Sequence, residues 1–340
     1  RRSRTPRFGH TLMTRQLDTL RWVAFPPVLL LLLFPLPSRA EESGRTPEQA
    51  EARALRFLSE EVPRWSRENH CFSCHNNGDA ARALYVAVRR GRKLRASVLV
   101  DTSKWLSRPP TWNHNGGDGP ASDKRLARVE FSAALREAIL AGEVREKDAL
   151  KLAAKSLLED QSEDGSWPIE SGGVIGSPAG YGRPLASALA LEVLREAREP
   201  QFNMAISKAE DWFESRPVHN TLDAASALLA LGHRASKPLQ SRCLTYLRTA
   251  EVPAGGWGPF PDSAPEPFDT ALTIAALSRL DQPESQSLIR RGRRFLAASQ
   301  RSDGSWRETT RPAGGESYAQ RLSTTGWAAW ALLETSESER

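Results

Sequence analysis

The residues best suited to chemistry in this sequence are two cysteines and a histidine in the segment Cys71-Phe72-Ser73-Cys74-His75. Two thiols at this spacing can add to the vinyl groups of a haem, and the histidine that follows can bind the iron. We therefore expect a covalent haem c on Cys71 and Cys74, with His75 as the proximal metal ligand.

Three other chemistries use the same side chains. A short-range disulfide between Cys71 and Cys74 is typical of an oxidising compartment. A zinc site could combine these thiols with one or two histidines, although the second cysteine pair of a typical zinc module is absent. A catalytic redox pair would need a thioredoxin-like βαβ surround, which this sequence does not predict. Haem remains the favoured interpretation.

Internal repeats predict the elements that carry this motif. The fullest copy reads Arg291-Gly292-x-x-Phe295-Leu296-x-x-x-Gln300-x-x-Asp303-Gly304-Ser305-Trp306, and Gln161-x-x-Asp164-Gly165-Ser166-Trp167 repeats its second half. Arg242-Cys243-x-x-Tyr246-Leu247 repeats the first half and runs on to Gly256-Trp257, and weaker first halves begin at Arg53, Arg95 and Lys208. Each copy lies on an amphipathic stretch and is followed by a loop and a second, alanine-rich stretch, a pattern typical of a helical hairpin.

Alternating outer and inner helices predict an all-α fold, a single (α/α)6 toroid of six hairpins spanning 41–340. The outer helices are predicted near 48–66, 93–107, 146–160, 203–215, 237–250 and 285–299. The inner helices are predicted near 79–90, 123–140, 184–198, 221–232, 268–280 and 323–335. All loops from an outer to an inner helix then emerge at one end of the ring, which we call the mouth.

The mouth also holds the residue that we predict as the second axial ligand of the haem, His114. Its loop belongs to the hairpin next to the one that carries His75, and the glycines that follow it allow close approach to a flat ring. Met204 and His233 are predicted at the opposite end of the toroid, out of reach.

The motif Gln-x-x-Asp-Gly-Ser-Trp after an outer helix resembles the QW repeat of squalene-hopene cyclases and prenyltransferase β-subunits. The resemblance covers roughly residues 45–336 and implies the toroidal fold derived above. It also implies that the glutamine and tryptophan act as structural staples, so we expect packing roles for Trp167, Trp257 and Trp306.

The same resemblance bears on catalysis through Glu266-Pro267-Phe268-Asp269-Thr270-Ala271. Squalene cyclases protonate their substrate with the middle acid of Asp-x-Asp-Asp-Thr-Ala, and Phe268 stands in that place. Glu266 and Asp269 keep only the flanking positions, which leaves them as weak catalytic candidates, and a helix cap is the expected role of Asp269. A phenyl ring has no proton to give, so squalene cyclisation of that type is not expected.

Charge argues against nucleic acid as a partner. Of 47 basic and 41 acidic residues, seven basic and one acidic fall within residues 1–40, so the remainder carries 40 of each. Residues 41–340 therefore carry no excess of positive charge that could attract the phosphates of a nucleic acid.

Residues 1–40 are typical of an export signal. Met13 opens a short basic start, residues 22–36 form an apolar run, and Ser38-Arg39-Ala40 offers a cleavage site. The apolar run is shorter than the roughly 20 residues that a membrane span needs. We therefore expect a periplasmic or secreted protein with no membrane span after signal cleavage.

Two function classes follow, with a third beside them. The first is a binding or redox-linked module with covalent haem, whose partner is an apolar or isoprenoid-like small molecule or a redox protein. The second is a divergent terpenoid cyclase or prenyltransferase-type enzyme that acts on an isoprenoid. The third is a haem-free toroid that binds a ligand or a protein.

The haem hypothesis gives the first testable prediction. Protein produced with a haem-attachment system in an exporting host should show a Soret band that survives denaturation, because the thioether bonds are covalent. His114→Ala should change the spin state seen in the visible spectrum. A denatured sample without haem-shifted mass would contradict the attachment, and an unchanged spectrum would contradict the role of His114.

Overall fold

The computed structural model describes residues 44–116, 123–169, 175–280, 282–309, Arg311 and 317–336. The predicted leader, residues 1–40, lies outside them. The secondary structure of these residues is helical apart from a single bridge between Glu251 and Trp257. The helices are α1 (Pro47–Asn69), α2 (Ala81–Arg89), α3 (Val100–Leu106), α4 (Lys124–Leu140), α5 (Lys147–Asp160), α6 (Arg183–Ala197), α7 (Asn203–Ser215), α8 (Thr221–Leu231), α9 (Lys237–Ala250), α10 (Pro267–Leu277), α11 (Pro283–Ser299) and α12 (Tyr318–Glu334).

The even-numbered helices form a closed inner ring. Each packs on the next along the chain, and α12 packs back on α2. The odd-numbered helices lie outside, and α11 contacts α1 across the closure. The inner helices are alanine- and leucine-rich and buried nearly all round, as in α8 and α10. The predicted all-α toroid of six hairpins is confirmed.

The repeat motif joins outer and inner helices in the way that the resemblance implies. The indole of Trp306 donates to the carbonyl oxygen of Leu296 in α11 at 2.8 Å, and its backbone N–H donates to Thr325 of α12 at 3.2 Å. Trp167 and Trp257 make the same pair of bonds in their own hairpins. All three indoles are buried, so the expected packing role is confirmed.

The motif glutamines join neighbouring hairpins. Gln161 donates to the carbonyl of Ala205 at the start of α7 at 2.9 Å. Gln300 donates to the carbonyl of Ala50 in α1 at 2.8 Å, which links the last hairpin to the first and closes the ring. The motif glycine is needed at the same contact, because Gly304 has a φ of +92° and a Cβ there would lie 2.6 Å from the carbonyl oxygen of Arg53.

Several predicted boundaries differ from the structure; the inner helix predicted at 323–335, for example, is Tyr318–Glu334. The outer helix predicted at 93–107 is only Val100–Leu106, after a 3₁₀ turn at Ala96–Val98. The inner helix predicted at 79–90 begins earlier, because Cys74–Ala80 is π-helical and runs into α2. The Cys74-His75 pair therefore lies on an inner helix rather than in a loop. Among the described helices, none has the length and apolar character required to cross a membrane.

The closure contact gives a stability prediction. Gln300→Ala removes both hydrogen bonds that its buried amide donates, to the carbonyls of Ala50 and Gly304. At about 0.5–1.5 kcal/mol for each bond, the free energy of unfolding should fall by about 1–3 kcal/mol. Gln286→Ala, on the exposed face of the same helix, should change it by less than about 0.5 kcal/mol. Urea titration measures both, and equal effects from the two variants would remove the closure bond as a source of stability.

Candidate functional site

The first inner helix opens with a short π-helical stretch that positions the cysteine and histidine. Ser73 caps it by accepting a hydrogen bond from the backbone N–H of His75 at 3.1 Å. The side chain of Asn77 accepts from the backbone of Ser73 at 3.0 Å and donates to Thr102 of α3 at 2.8 Å. These bonds fix the turn against the second hairpin. Short π-helical stretches inside helices are frequent at functional sites.

Cys74, His75 and Glu130 form a compact cluster of metal-ligating side chains, with one ligand atom of each within 4.8 Å of the others. Cys74 Sγ lies 3.7 Å from His75 Nδ1, which lies 3.9 Å from Glu130 Oε2. Ser323 Oγ of α12 lies 3.4 Å from the same imidazole nitrogen. The cluster thus joins the start of the first inner helix to α4 and α12. Both oxygens of Glu130 are buried, and within the described part of the chain no nitrogen or oxygen donor reaches them, while the Cys74 thiol acts as a hydrogen-bonding neighbour.

A second buried acid, Asp79, lies on the same π-helical stretch. It accepts a hydrogen bond from the Tyr181 hydroxyl and lies 3.7 Å from the guanidinium of Arg82. Arg82 stacks over Trp327 and Trp330, with 4.0 Å and 4.9 Å to the ring centroids. Such cation–π contacts compensate a buried guanidinium for lost water.

Aromatic side chains fill the interior of the toroid beside these charged residues. Trp327 makes edge contacts with Tyr181, Phe268 and Trp330, with centroids 5.8, 5.8 and 5.2 Å away. All four side chains are buried. Among the described residues, therefore, side chains occupy the space where a toroid could hold a long ligand.

Burial controls the protonation of the cluster. It raises the pKa of Glu130 well above the usual range, and the neighbouring Asp79 raises it further. Burial raises the pKa of Asp79 to about 6, although Arg82 and Tyr181 favour its ionised form. Burial lowers the pKa of His75 to about 4, so the imidazole is neutral at pH 7 and its lone pair is free.

A separate carboxylate pair lies at the mouth, at the start of α10. Asp269 is fully buried and bound by the guanidinium of Arg311, which also contacts Glu266 at 2.8 Å. Arg311 donates in addition to the carbonyl of Gly176 at 2.8 Å. Burial raises the pKa of Asp269 to about 7 against the opposing effect of Arg311, and its Oδ1 has no hydrogen-bond partner among the residues that the structure describes.

Asp269 does not cap α10, so the expectation from the sequence was wrong. Glu266 occupies the N-cap position of α10, and Asp269 is the third helical residue, facing inward. Both weak catalytic candidates are therefore brought together by Arg311. Sequence reasoning gave no role to this arginine, since its loop has no regular pattern.

The structure places the other predicted site residues apart from the cluster. His114 is exposed at the end of a 3₁₀ turn, Pro109–His114, and does not belong to the Cys74 group. The residue of that loop that reaches the motif is Asn115, which makes two hydrogen bonds to the backbone of Phe72, at 3.1 and 2.6 Å. Cys71 is buried and outside the group, and both motif thiols are free.

The side chains around the motif do not fit a haem as arranged. Cys74 and His75 are partly buried and their ligand atoms lie close to those of the buried Glu130. The cavity beside Phe72, about 380 Å³, lies against the stacked ring of Trp105, and neither Cys74 nor His75 lines it. Haem attachment and the axial role of His114 therefore stay predictions from the sequence.

Sequence reasoning missed Glu130, Asp79 and Arg82 as site residues. A signal for Glu130 was present, because Glu130-Phe131-Ser132-Ala133-Ala134-Leu135 places an acid in the apolar stretch of a predicted inner helix. An acid on a buried helix face needs a partner.

Comparisons with known proteins agree with this architecture. Residues 221–340 match the family described as squalene-hopene cyclase C-terminal domain. No curated protein matches the chain.

Solved structures show the same fold at low identity. The type II terpene cyclase MstE from Scytonema, in complex with geranylgeranyl dihydroxybenzoate, superimposes with a TM-score of 0.53 at 15% identity, over 89% of this chain and 98% of that chain. A protein from Actinoplanes superimposes with a TM-score of 0.55 at 18% identity, over 85% and 99%. The fold is that of the squalene-cyclase and type II terpene-cyclase superfamily, as the repeat motif indicated.

The unpartnered Glu130 gives a pH prediction. Because its pKa is raised in the folded state, the native protein binds more protons than the unfolded chain, and stability falls as pH rises above the unfolded value near 4.5. Glu130→Gln removes this ionisation and should flatten the fall of Tm between pH 5 and pH 8, measured with a chelator present.

A matched control is Glu192→Gln, on the next inner helix. Burial raises the pKa of Glu192, but Arg279 and Arg136 outweigh it and lower the pKa overall. This variant should lose stability while keeping the wild-type slope over that pH range. A Glu130→Gln slope equal to that of wild type would show that Glu130 is not titrating there.

Proposed function

We propose that this chain is a divergent terpenoid-cyclase-type enzyme that protonates an apolar, isoprenoid-like molecule at the mouth, with Asp269 as the acid. The observation that carries the proposal is the buried Asp269 carboxyl, which has one unpartnered oxygen and a pKa of about 7. A general acid works best when its pKa lies near the working pH.

The surroundings of Asp269 support proton transfer to an apolar group. Arg311 binds one carboxyl oxygen and leaves Oδ1 as the atom that can carry the proton. The adjacent ring of Phe268 packs edge-on against Trp327, and aromatic faces stabilise a developing cation. Glu266 shares Arg311, so the guanidinium does not compensate Asp269 alone.

The size of the substrate is limited by the filled interior. Phe268 and Trp330 both pack against Trp327, and all three are buried, so these rings reduce the space for a folded thirty-carbon chain. The Scytonema cyclase holds a geranylgeranyl-bearing substrate. For this chain we propose a shorter or partly inserted isoprenoid, and no cyclisation of squalene.

The alternative of a haem-linked binding module rests on the sequence motif and the export signal. We propose export to the periplasm or the medium from residues 1–40, and we keep haem attachment and a haem-free binding toroid as alternatives. Neither alternative requires Asp269 to gain or lose a proton, so a dependence on Asp269 distinguishes the enzyme from both of them.

The test compares two buried aspartates at the same helix position. Wild type should convert farnesol or geranylgeraniol to isomerised or cyclised products, detected by gas chromatography, and should leave squalene unchanged. Asp269→Asn should lower kcat by about 100-fold or more, because it removes the acid. The rate of wild type should fall as pH rises through 7, since the protonated acid is the active form.

The control is Asp223→Asn, because Asp223 is also the third residue of an inner helix and is paired with Arg216 at 3.1 Å. This variant should keep the rate within a few-fold of wild type. Binding of the alcohols without any turnover by wild type would contradict the enzyme and favour a binding toroid.

A further inference from the structure

We infer that Cys74, His75 and Glu130 bind a single divalent transition-metal ion of the zinc type, which ties the start of α2 to α4. The site lies apart from Asp269 and does not depend on the function proposed above. A thiol, an imidazole and a carboxylate meet at this site, with one ligand atom of each within 4.8 Å of the others.

The donor set selects the metal. Thiolate and imidazole are ligands that Zn²⁺ and Co²⁺ accept and that Mg²⁺ and Ca²⁺ disfavour. Bond lengths of about 2.0–2.3 Å to a tetrahedral ion require ligand atoms about 3.4–3.6 Å apart. The distances of 3.7 Å from Cys74 Sγ to His75 Nδ1 and 3.9 Å from Nδ1 to Glu130 Oε2 are close to that geometry. Three protein ligands leave a fourth position open.

Glu130 is the independent observation that points to a cation. Its side chain is fully buried, and among the described residues neither carboxyl oxygen accepts a hydrogen bond from a nitrogen or oxygen donor, which leaves the Cys74 thiol as its hydrogen-bonding neighbour. A buried carboxyl without partners is strongly unfavourable, so side chains of this kind are paired or coordinate metals. The buried guanidinium of Arg82 on α2 attracts Glu130, but its direct contacts are with Asp79 and the indole ring of Trp327.

The backbone around Glu130 is shaped to bring the ligands together. Gly78, in the π-helical turn after His75, lies so close to α4 that a Cβ there would stand 3.1 Å from the Cβ of Glu130. A larger residue would push the turn away from the carboxylate. The hydroxyl of Ser323 lies 3.4 Å from the imidazole Nδ1 and approaches the ring from α12.

Cys71 distinguishes this site from the competing interpretations. Covalent haem and a disulfide both require Cys71 together with Cys74, whereas the metal site requires Cys74, His75 and Glu130. Cys71 does not belong to the three-ligand group. Glu130, conversely, has no role in haem attachment or in a disulfide.

The experiment is a Co²⁺ titration of the full chain after treatment with EDTA and a thiol reductant. Co²⁺ bound to a thiolate gives an intense near-ultraviolet charge-transfer band and visible bands that report its coordination. We expect one equivalent to bind to wild type and to Cys71→Ser, displaced by Zn²⁺, and to raise Tm. Glu130→Gln, which is nearly isosteric, should weaken binding by at least about tenfold, and Cys74→Ser should remove the charge-transfer band.

Three outcomes of this titration would overturn the metal site or its ligand assignment. Equal Co²⁺ affinity of Glu130→Gln and wild type would overturn the site, as would failure of wild type to bind one equivalent. Loss of binding in Cys71→Ser would also overturn the ligand assignment. If Cys74→Ser does not fold, Glu130→Gln with unchanged circular dichroism carries the test alone, because it alters one ligand without changing shape.

Discussion

The closure of the helical ring is the constraint on which the rest of this structure depends. Hairpins stacked side by side leave one apolar face open at each end, and only contact between the first and last hairpins covers both. The bond from Gln300 to Ala50 joins residues 250 positions apart. On the inner ring, Gly326 of α12 allows contact with the backbone of Asp79, because a Cβ there would lie 3.0 Å from it.

Closure also explains how the cluster of Cys74, His75 and Glu130 is enclosed. The π-helical turn at Cys74–Ala80 is enclosed by α4 on one side and α12 on the other. Glu130 and Ser323 reach the turn from those two helices. An open array of the same hairpins would leave these side chains in water, where neither the acid nor the histidine would have a shifted pKa.

The buried carboxyl groups of Asp269 and Glu130 differ in the groups that surround them, and this difference determines what each can do. Asp269 has the guanidinium of Arg311 beside it, which offsets only part of the effect of burial and of Glu266, so the pKa of Asp269 is raised to about 7. For Glu130, burial outweighs the opposing effects of the Cys74 thiol and of Arg82, and its pKa is raised well above the usual range. The first arrangement suits an acid that loses and regains a proton. The second suits an acid that remains neutral or binds a cation.

The amino-acid sequence by itself determined the architecture of this protein. Helical periodicity and the repeats around Trp167, Trp257 and Trp306 predicted six hairpins, their order and nearly all helix bounds, because these depend on local spacing and on one motif used repeatedly. The sequence also identified Cys74, His75, Glu266 and Asp269 as chemically distinctive residues. Local pattern was sufficient for all of this.

Only the tertiary structure decided what those residues face. Glu130 reaches His75 because α4 packs on α2, and Arg311 reaches Asp269 because a loop from the last hairpin lies over α10. Neither contact has a fixed spacing in the chain. The burial that shifts each pKa comes from closing the ring, since the dielectric surroundings of a side chain depend on all elements packed around it and not on its neighbours in sequence.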